Sequence, residues 1–229
     1  MSSKRTTLSR TRASMAARLA STVERPNVPA FERSDPTGLR IRTARASDLS
    51  QLRELCALAE VQVETAIARA VTAGYAGQAL ETGLAGGTDA FFNDIMARFT
   101  SMSVPTLKDL FLRLTLALVA ETDGAGTVGA ALAFPPVGTI MHQLKQLQAL
   151  GAPEPTQIEL TLAGTLRVSR IKAVGVRENA RRSGVGAALV DACTSAFGGL
   201  GYPIVYGIMP PTPGLEKLLQ RPRLHHLAA

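Results

Sequence analysis

The feature that most constrains this chain is a strand that runs through a glycine loop into a helix. Residues 166–176 read as a strand in which Val168, Arg170 and Lys172 alternate with Ser169, Ile171 and Ala173. Arg177-Glu178-Asn179-Ala180 supplies a turn. Arg181-Arg182-Ser183-Gly184-Val185-Gly186 then opens a helix over 184–197, and Gly198, Gly199 and Gly201 close it. A second strand follows at 202–208. Two strands joined through a helix are expected to lie parallel.

Glycines at the start of a helix have a chemical use. The first backbone N–H groups of a helix lack intrahelical acceptors, and with the helix dipole they attract anions. Gly184 and Gly186 would let a phosphate approach the backbone, and Arg181 and Arg182 add positive charge. A P-loop is excluded, because no Gly-Lys-Ser/Thr opens this helix. A dinucleotide fingerprint wants a third glycine where Leu189 stands, and an acid near Tyr206 and Gly207.

The preceding chain also reads as alternating structure. Residues 39–45 alternate as a half-buried strand. Ser47 or Asp48 offers a cap for a helix spanning about 48–73. The Gly-rich stretch 74–88 reads as loop, and 89–100 as a helix with Phe91, Phe92, Ile95, Met96 and Phe99 on one side. Residues 114–121 and 127–134 read as a hairpin around Asp123-Gly124. Pro135-Pro136 ends it, and 140–150 reads as an amphipathic helix closed by Gly151.

Arg181-x-x-Gly184-x-Gly186, after a strand ending Ala173-Val174-Gly175-Val176, closely resembles the acyl-CoA-binding motif of the GNAT superfamily of N-acetyltransferases. The resemblance covers residues 39–220, through Ala46-Ser47-Asp48-Leu49-x-x-Leu52 and the hairpin of Val119-Ala120-Glu121 with Val128-Gly129-Ala130. It implies an α/β (α+β) mixed sheet of the GNAT-like acyl-CoA N-acyltransferase fold. It implies acetyl-CoA as cosubstrate and no metal. It implies that an amine, on a small molecule or a peptide, attacks the thioester directly. By the same resemblance, Val174 and Val176 offer main-chain groups to the pantetheine, with Gly175 at or near a strand bulge. Arg181, Arg182, Ser183, Gly184, Val185, Gly186 and Ala187 hold the pyrophosphate. A main-chain N–H near Val174 polarises the carbonyl. Glu121 and Glu178 are the candidates for the base that takes the amine proton, and Tyr206 for the acid that meets the leaving thiolate. His142, His225 and His226 read as surface or tail residues.

The family's final helix is matched by Gly214 to Arg221, and the chain then reads Pro222 to Ala229 where two more strands are expected. The expected division is therefore a basic, disordered tail over 1–38, the acetyltransferase domain over 39–221 and an unstructured tail over 222–229. Two readings stay open. One is an active N-acetyltransferase. The other is a catalytically weak or inactive truncated protein of the same fold that binds CoA or a partner. An unprotected edge at 202–208 would favour homodimers.

Composition bounds the partners. The net charge of the 229-residue chain is +7, but residues 1–40 carry eight bases and three acids, a surplus of five. The body is therefore nearly neutral, and with 4% aromatics it argues against a nucleic-acid partner. The first 23 residues match a transit peptide in composition, but a plain basic extension is the favoured reading. No apolar run is long enough to span a membrane. Cys56 and Cys193 lack Cys or His neighbours and read as buried free thiols, which points to a reducing, cytoplasmic setting.

Overall fold

The alternation along the strands does what it should: each strand gives one set of side chains to each face of a single sheet. The computed structural model describes residues 32–34, 38–100, 110–136, 142, 146, 149, 151 and 168–207. Among these, the strands are β1 (Glu32–Ser34), β2 (Leu39–Thr43), β3 (Leu116–Thr122), β4 (Gly126–Phe134), β5 (Val168–Val176) and β6 (Ile204–Gly207). They form one six-stranded sheet in sequence order. Neighbours are antiparallel from β1 to β5, and β6 pairs with β5 in parallel. The fold is thus a mixed α/β sheet, as the sequence implied. The expected final helix and missing strands, most of the 140–150 helix and most of the 1–38 tail lie outside the described residues; β1 falls within that tail and pairs with β2.

Helices among the described residues include α1 (Leu49–Ala57), α2 (Thr65–Thr72), α3 (Gln78–Gly86), α4 (Thr88–Thr100) and α5 (Val185–Gly199). One apolar cluster joins Ile41, Leu116, Leu118, Val128 and Ile171 to Leu80, Phe91, Leu189 and Phe197 from α3, α4 and α5. The opposite cluster joins Val119, Ala130, Leu132 and Ala173 to Leu52, Leu55, Cys56, Ile67 and Val71 from α1 and α2. Both cysteines are free and buried, and burial pushes the Cys56 thiol up to about 11 and the Cys193 thiol up to about 12.

Three expectations are corrected. The single helix over 48–73 is two. The N–H of Val61 donates to the Cys56 carbonyl (3.1 Å) and that of Glu60 to Ala57 (2.9 Å), with Glu60 left-handed at φ 57°, which ends α1 with a reversed turn. The stretch 74–88 is not all loop. Left-handed Gly77 (φ 75°) and Gly87 (φ 90°) bracket α3, so two of its glycines punctuate a helix. Asp48 does not cap α1 forward. Its carboxylate turns back to accept the Arg45 N–H at 2.7 Å and both arms of Arg42 at 2.6 and 3.1 Å.

Gly175 shows how tightly the α1 face is closed. A Cβ built there would stand 1.8 Å from the Leu55 carbonyl oxygen of α1. That neighbour is backbone and cannot rotate away. Gly175→Ala is expected to destabilise the protein by about 1–3 kcal/mol, the usual cost of overpacking. Urea melts of the two proteins check it; an unchanged midpoint would mean that α1 does not rest on this strand.

Candidate functional site

The site is set by where β5 stops pairing. The β5–β6 ladder runs from Val168 opposite Ile204 to Ile171 opposite Gly207. Past Ile171, β5 has no partner on that side among the described residues. At the same place its register with β4 slips: Leu132 faces Ala173 while Ala133 faces Ile171, so Lys172 is an extra residue on β5. An extra residue bends and twists its strand. The bulge therefore lies at Lys172, three residues before the expected Gly175. It also breaks the simple alternation read from the sequence, since Ile171 and Ala173 enter opposite clusters. Gly175 instead serves the contact with α1.

Backbone direction beyond the bulge follows from one hydrogen bond. The Arg177 N–H donates to the Val128 carbonyl of the β4 side at 2.9 Å. Alternate residues of a strand present their N–H and C=O to opposite neighbours. Ala173, Gly175 and Arg177 therefore face β4, and Val174 and Val176 face the opening beside β6. The Val176 carbonyl accepts Arg181 Nε at 3.3 Å.

At the top of this opening sits the glycine loop. A 3-10 turn (Glu178–Ala180) leads to Arg182 at φ 67° and Gly184 at φ 92°, both left-handed. Ser183 Oγ donates to the Ala180 carbonyl at 2.7 Å and holds the turn. The N–H of Ala188 makes the first bond of α5, to the Gly184 carbonyl at 2.9 Å, and no side chain caps the helix. The N–H groups of Val185, Gly186 and Ala187 thus open toward the loop, with exposed Arg181 and Arg182 beside them. Gly184 and Gly186 differ in kind. A Cβ at Gly184 would meet nothing within 4 Å, so glycine is there for its left-handed backbone. A Cβ at Gly186 would stand 3.6 Å from Val176 Cγ2, between α5 and the end of β5.

The structure therefore places the main-chain positions that the motif pointed to in one region: the edge of β5 at Val174 and Val176, without a strand partner among the described residues, runs up to the uncapped start of α5. No protein-family model matches the chain, and no curated protein matches it. Among solved structures it is similar to a ribosomal-protein-alanine N-acetyltransferase from Brucella melitensis biovar Abortus 2308. That pair shares 16% identity over 83% of this chain and 93% of the other, with a TM-score of 0.37. An aminoglycoside acetyltransferase from an uncultured soil metagenomic sample shares 16% identity over 85% and 91%, with a TM-score of 0.38. A GCN5-related N-acetyltransferase from Kribbella flavida shares 16% over 73% and 70%, with a TM-score of 0.33.

The side-chain candidates separate. Arg42 holds both oxygens of Glu121, with Nε 3.2 Å from one of them and the second arm on the other. Glu121 lies on β3, two strands from the open edge of β5, and works as part of a buried clamp. Glu178 is exposed in the 3-10 turn at the anion end. Tyr206 lies at the closed end of the opening, opposite Arg170 and half-buried. Arg177, which the sequence offered only as a turn residue, ties three elements: its guanidinium donates to the Thr127 carbonyl at 2.9 Å and pairs with Glu54 of α1 at 3.0 Å. The described residues hold no group of three metal-ligating side chains, and no described helix is long and apolar enough to cross a membrane.

Proposed function

We propose that this chain has the GNAT-like fold and is an acyl-CoA-dependent N-acyltransferase that moves an acetyl group from acetyl-CoA to a primary amine. The observation that carries the reading is the meeting of the open edge of β5 with the uncapped start of α5. A ligand that fits both must place a diphosphate at 181–187 and then an extended arm with amide groups along Val176 and Val174, as an added strand would lie. The pantetheine arm of CoA has that chemistry. The edge from Val176 to Ile171 is about 16 Å long at strand rise. That puts the thioester toward the closed end of the opening.

There the chain's own groups can do the following. The Val174 N–H, aimed into the opening, donates to the carbonyl oxygen as negative charge develops. The neutral amine forms the new N–C bond as the C–S bond breaks, and its proton leaves to a base or to water. Tyr206 is the one phenol at the closed end, and we assign it to meet the departing thiolate. The acceptor is a small-molecule or peptide amine.

Calorimetry with acetyl-CoA and a thiol-release assay over a panel of amines test the proposal. The expected result is saturable acetyl-CoA binding, and thiol release that requires both the amine and acetyl-CoA. Absence of acetyl-CoA binding by the folded protein would overturn the reading.

A further inference from the structure

We infer that the closed end of the β5–β6 opening recognises a carboxylate on the acceptor, and that Arg170 is its anchor. Where the amine must sit rests on the acyl-transfer reading above; the ability of Arg170 to hold a carboxylate does not.

Arg170 stands on β5 just below the last paired residue, Ile171. Its neighbours across the two ladders are Phe134 on β4 and Tyr206 on β6. Phe134 packs with the α1-face cluster, and Val205 packs with the opposite one. Alternation therefore puts Arg170, Phe134 and Tyr206 on the same face, with an aromatic residue on the neighbouring strand to either side of the arginine.

Four other arginines near the sheet are engaged. Arg42 is held by Asp48 and Glu121, Arg40 by Glu32 and Glu121, and Arg177 by Glu54. Arg181 reaches the Val176 carbonyl. Arg170 is different. Its Nε is buried without a hydrogen-bond partner, and no described carboxylate pairs with it. A buried donor of a charged group left without an acceptor is costly, and among the buried polar atoms without a partner, which include Ser169 Oγ and Tyr202 OH, only Arg170 Nε carries charge, so it is the one that most calls for an anionic acceptor.

The cofactor does not supply that acceptor. Its phosphates belong at 181–187, at the far end of β5, where Arg181, Arg182 and the start of α5 already answer them. What reaches Arg170 is the other reactant. A planar guanidinium offers a fork of paired donors, which matches a carboxylate. The acceptor class is then a carboxylate-bearing amine, such as a free amino acid, rather than a simple polyamine.

Lysine and cadaverine are a matched pair, since they differ only by the carboxylate. In protein labelled with nitrogen-15, the Arg170 Nε–H resonance is followed on titration with each, and acetyl-CoA binding is measured separately by calorimetry. Lysine is expected to shift the resonance saturably and cadaverine to leave it in place. Arg170→Met should weaken lysine binding at least tenfold, and Arg170→Lys, which keeps the charge and loses the fork, should recover only part of it. If Arg170→Met fails to fold, the titration of the parent protein still decides. No saturable shift with lysine, or equal shifts with both compounds, overturns the inference. A lysine shift without acetyl-CoA binding would leave the carboxylate site standing and remove the acyl-transfer reading; acetyl-CoA binding without the shift would do the reverse.

Discussion

Gly186→Val is expected to lose acetyl-CoA binding by about 100-fold or more while the protein stays folded. A side chain at 186 enters the space between α5 and Val176, whose Cγ2 already stands 3.6 Å from the built Cβ. On the proposed function, a diphosphate passing from the loop to the strand edge uses that space. Displacing it from two backbone N–H groups removes hydrogen bonds to charge, each contributing about 1.5–3 kcal/mol. Two of them amount to about 10²–10⁴ in affinity. Gly184→Val should also weaken binding, but by another route. Nothing crowds a Cβ there; the left-handed φ of 92° is what a branched residue resists, at about 1–2 kcal/mol. Gly184→Asn, which tolerates that conformation, should fall between parent and valine variant. Calorimetry with acetyl-CoA ranks the variants, and circular dichroism reports whether α5 persists. Parent-like binding by Gly186→Val would mean that this helix start holds no phosphate.

Asp48→Ala is expected to cost about 3 kcal/mol, the lower end of the range for breaking a buried ion pair, because Glu121 still answers one edge of the Arg42 guanidinium. Arg42 and Asp48 are each 6% exposed. Their paired contacts at 2.6 and 3.1 Å, with Glu121 on the other edge of the guanidinium, pin the start of α1 to β2 and β3. Against a typical total of about 5–15 kcal/mol, such a loss moves the urea midpoint far or unfolds the chain. The same cluster predicts an acid limit. Burial works against the Asp48 charge, but the Arg42 hydrogen bond, the Arg45 N–H and the two positive charges outweigh it and hold its carboxyl below the ordinary range. A carboxyl lowered by folding contributes stability that is fully present above its unfolded value, about 3.9. That contribution is lost as pH falls through the folded value. Melts carried from neutral pH to well below about pH 4 should show stability falling at the acid end, and Asp48→Ala should flatten that fall. An unchanged pH profile in the variant would move the acid sensitivity elsewhere.

Strands β2 to β6, the hairpin at Asp123-Gly124 and the helix start at Gly184 were legible in the sequence, because each rests on neighbours in the chain. Period-two alternation marks a strand wherever it ends up. Left-handed glycines mark a turn, and Gly184 at φ 92° and Gly124 at φ 81° both have the positive φ that such a turn needs. The glycine loop is of this kind, since its N–H groups come from consecutive residues.

Contacts between distant segments were not legible. Gly175 looked like a strand irregularity, and only the docking of α1 shows that the Leu55 carbonyl excludes a side chain there. The bulge fell at Lys172 because β5 must satisfy β4 on one side while β6 departs on the other, and no local pattern records that competition. Glu121 looked free to act as a base until Arg42, 79 positions away, closed on it. Arg170 was one more polar residue in an alternating strand. Its buried, unanswered Nε exists only once β4 and β6 stand on either side of it. Local backbone geometry is encoded within a few residues, whereas which charges meet and which are left unmet depends on how the sheet is assembled.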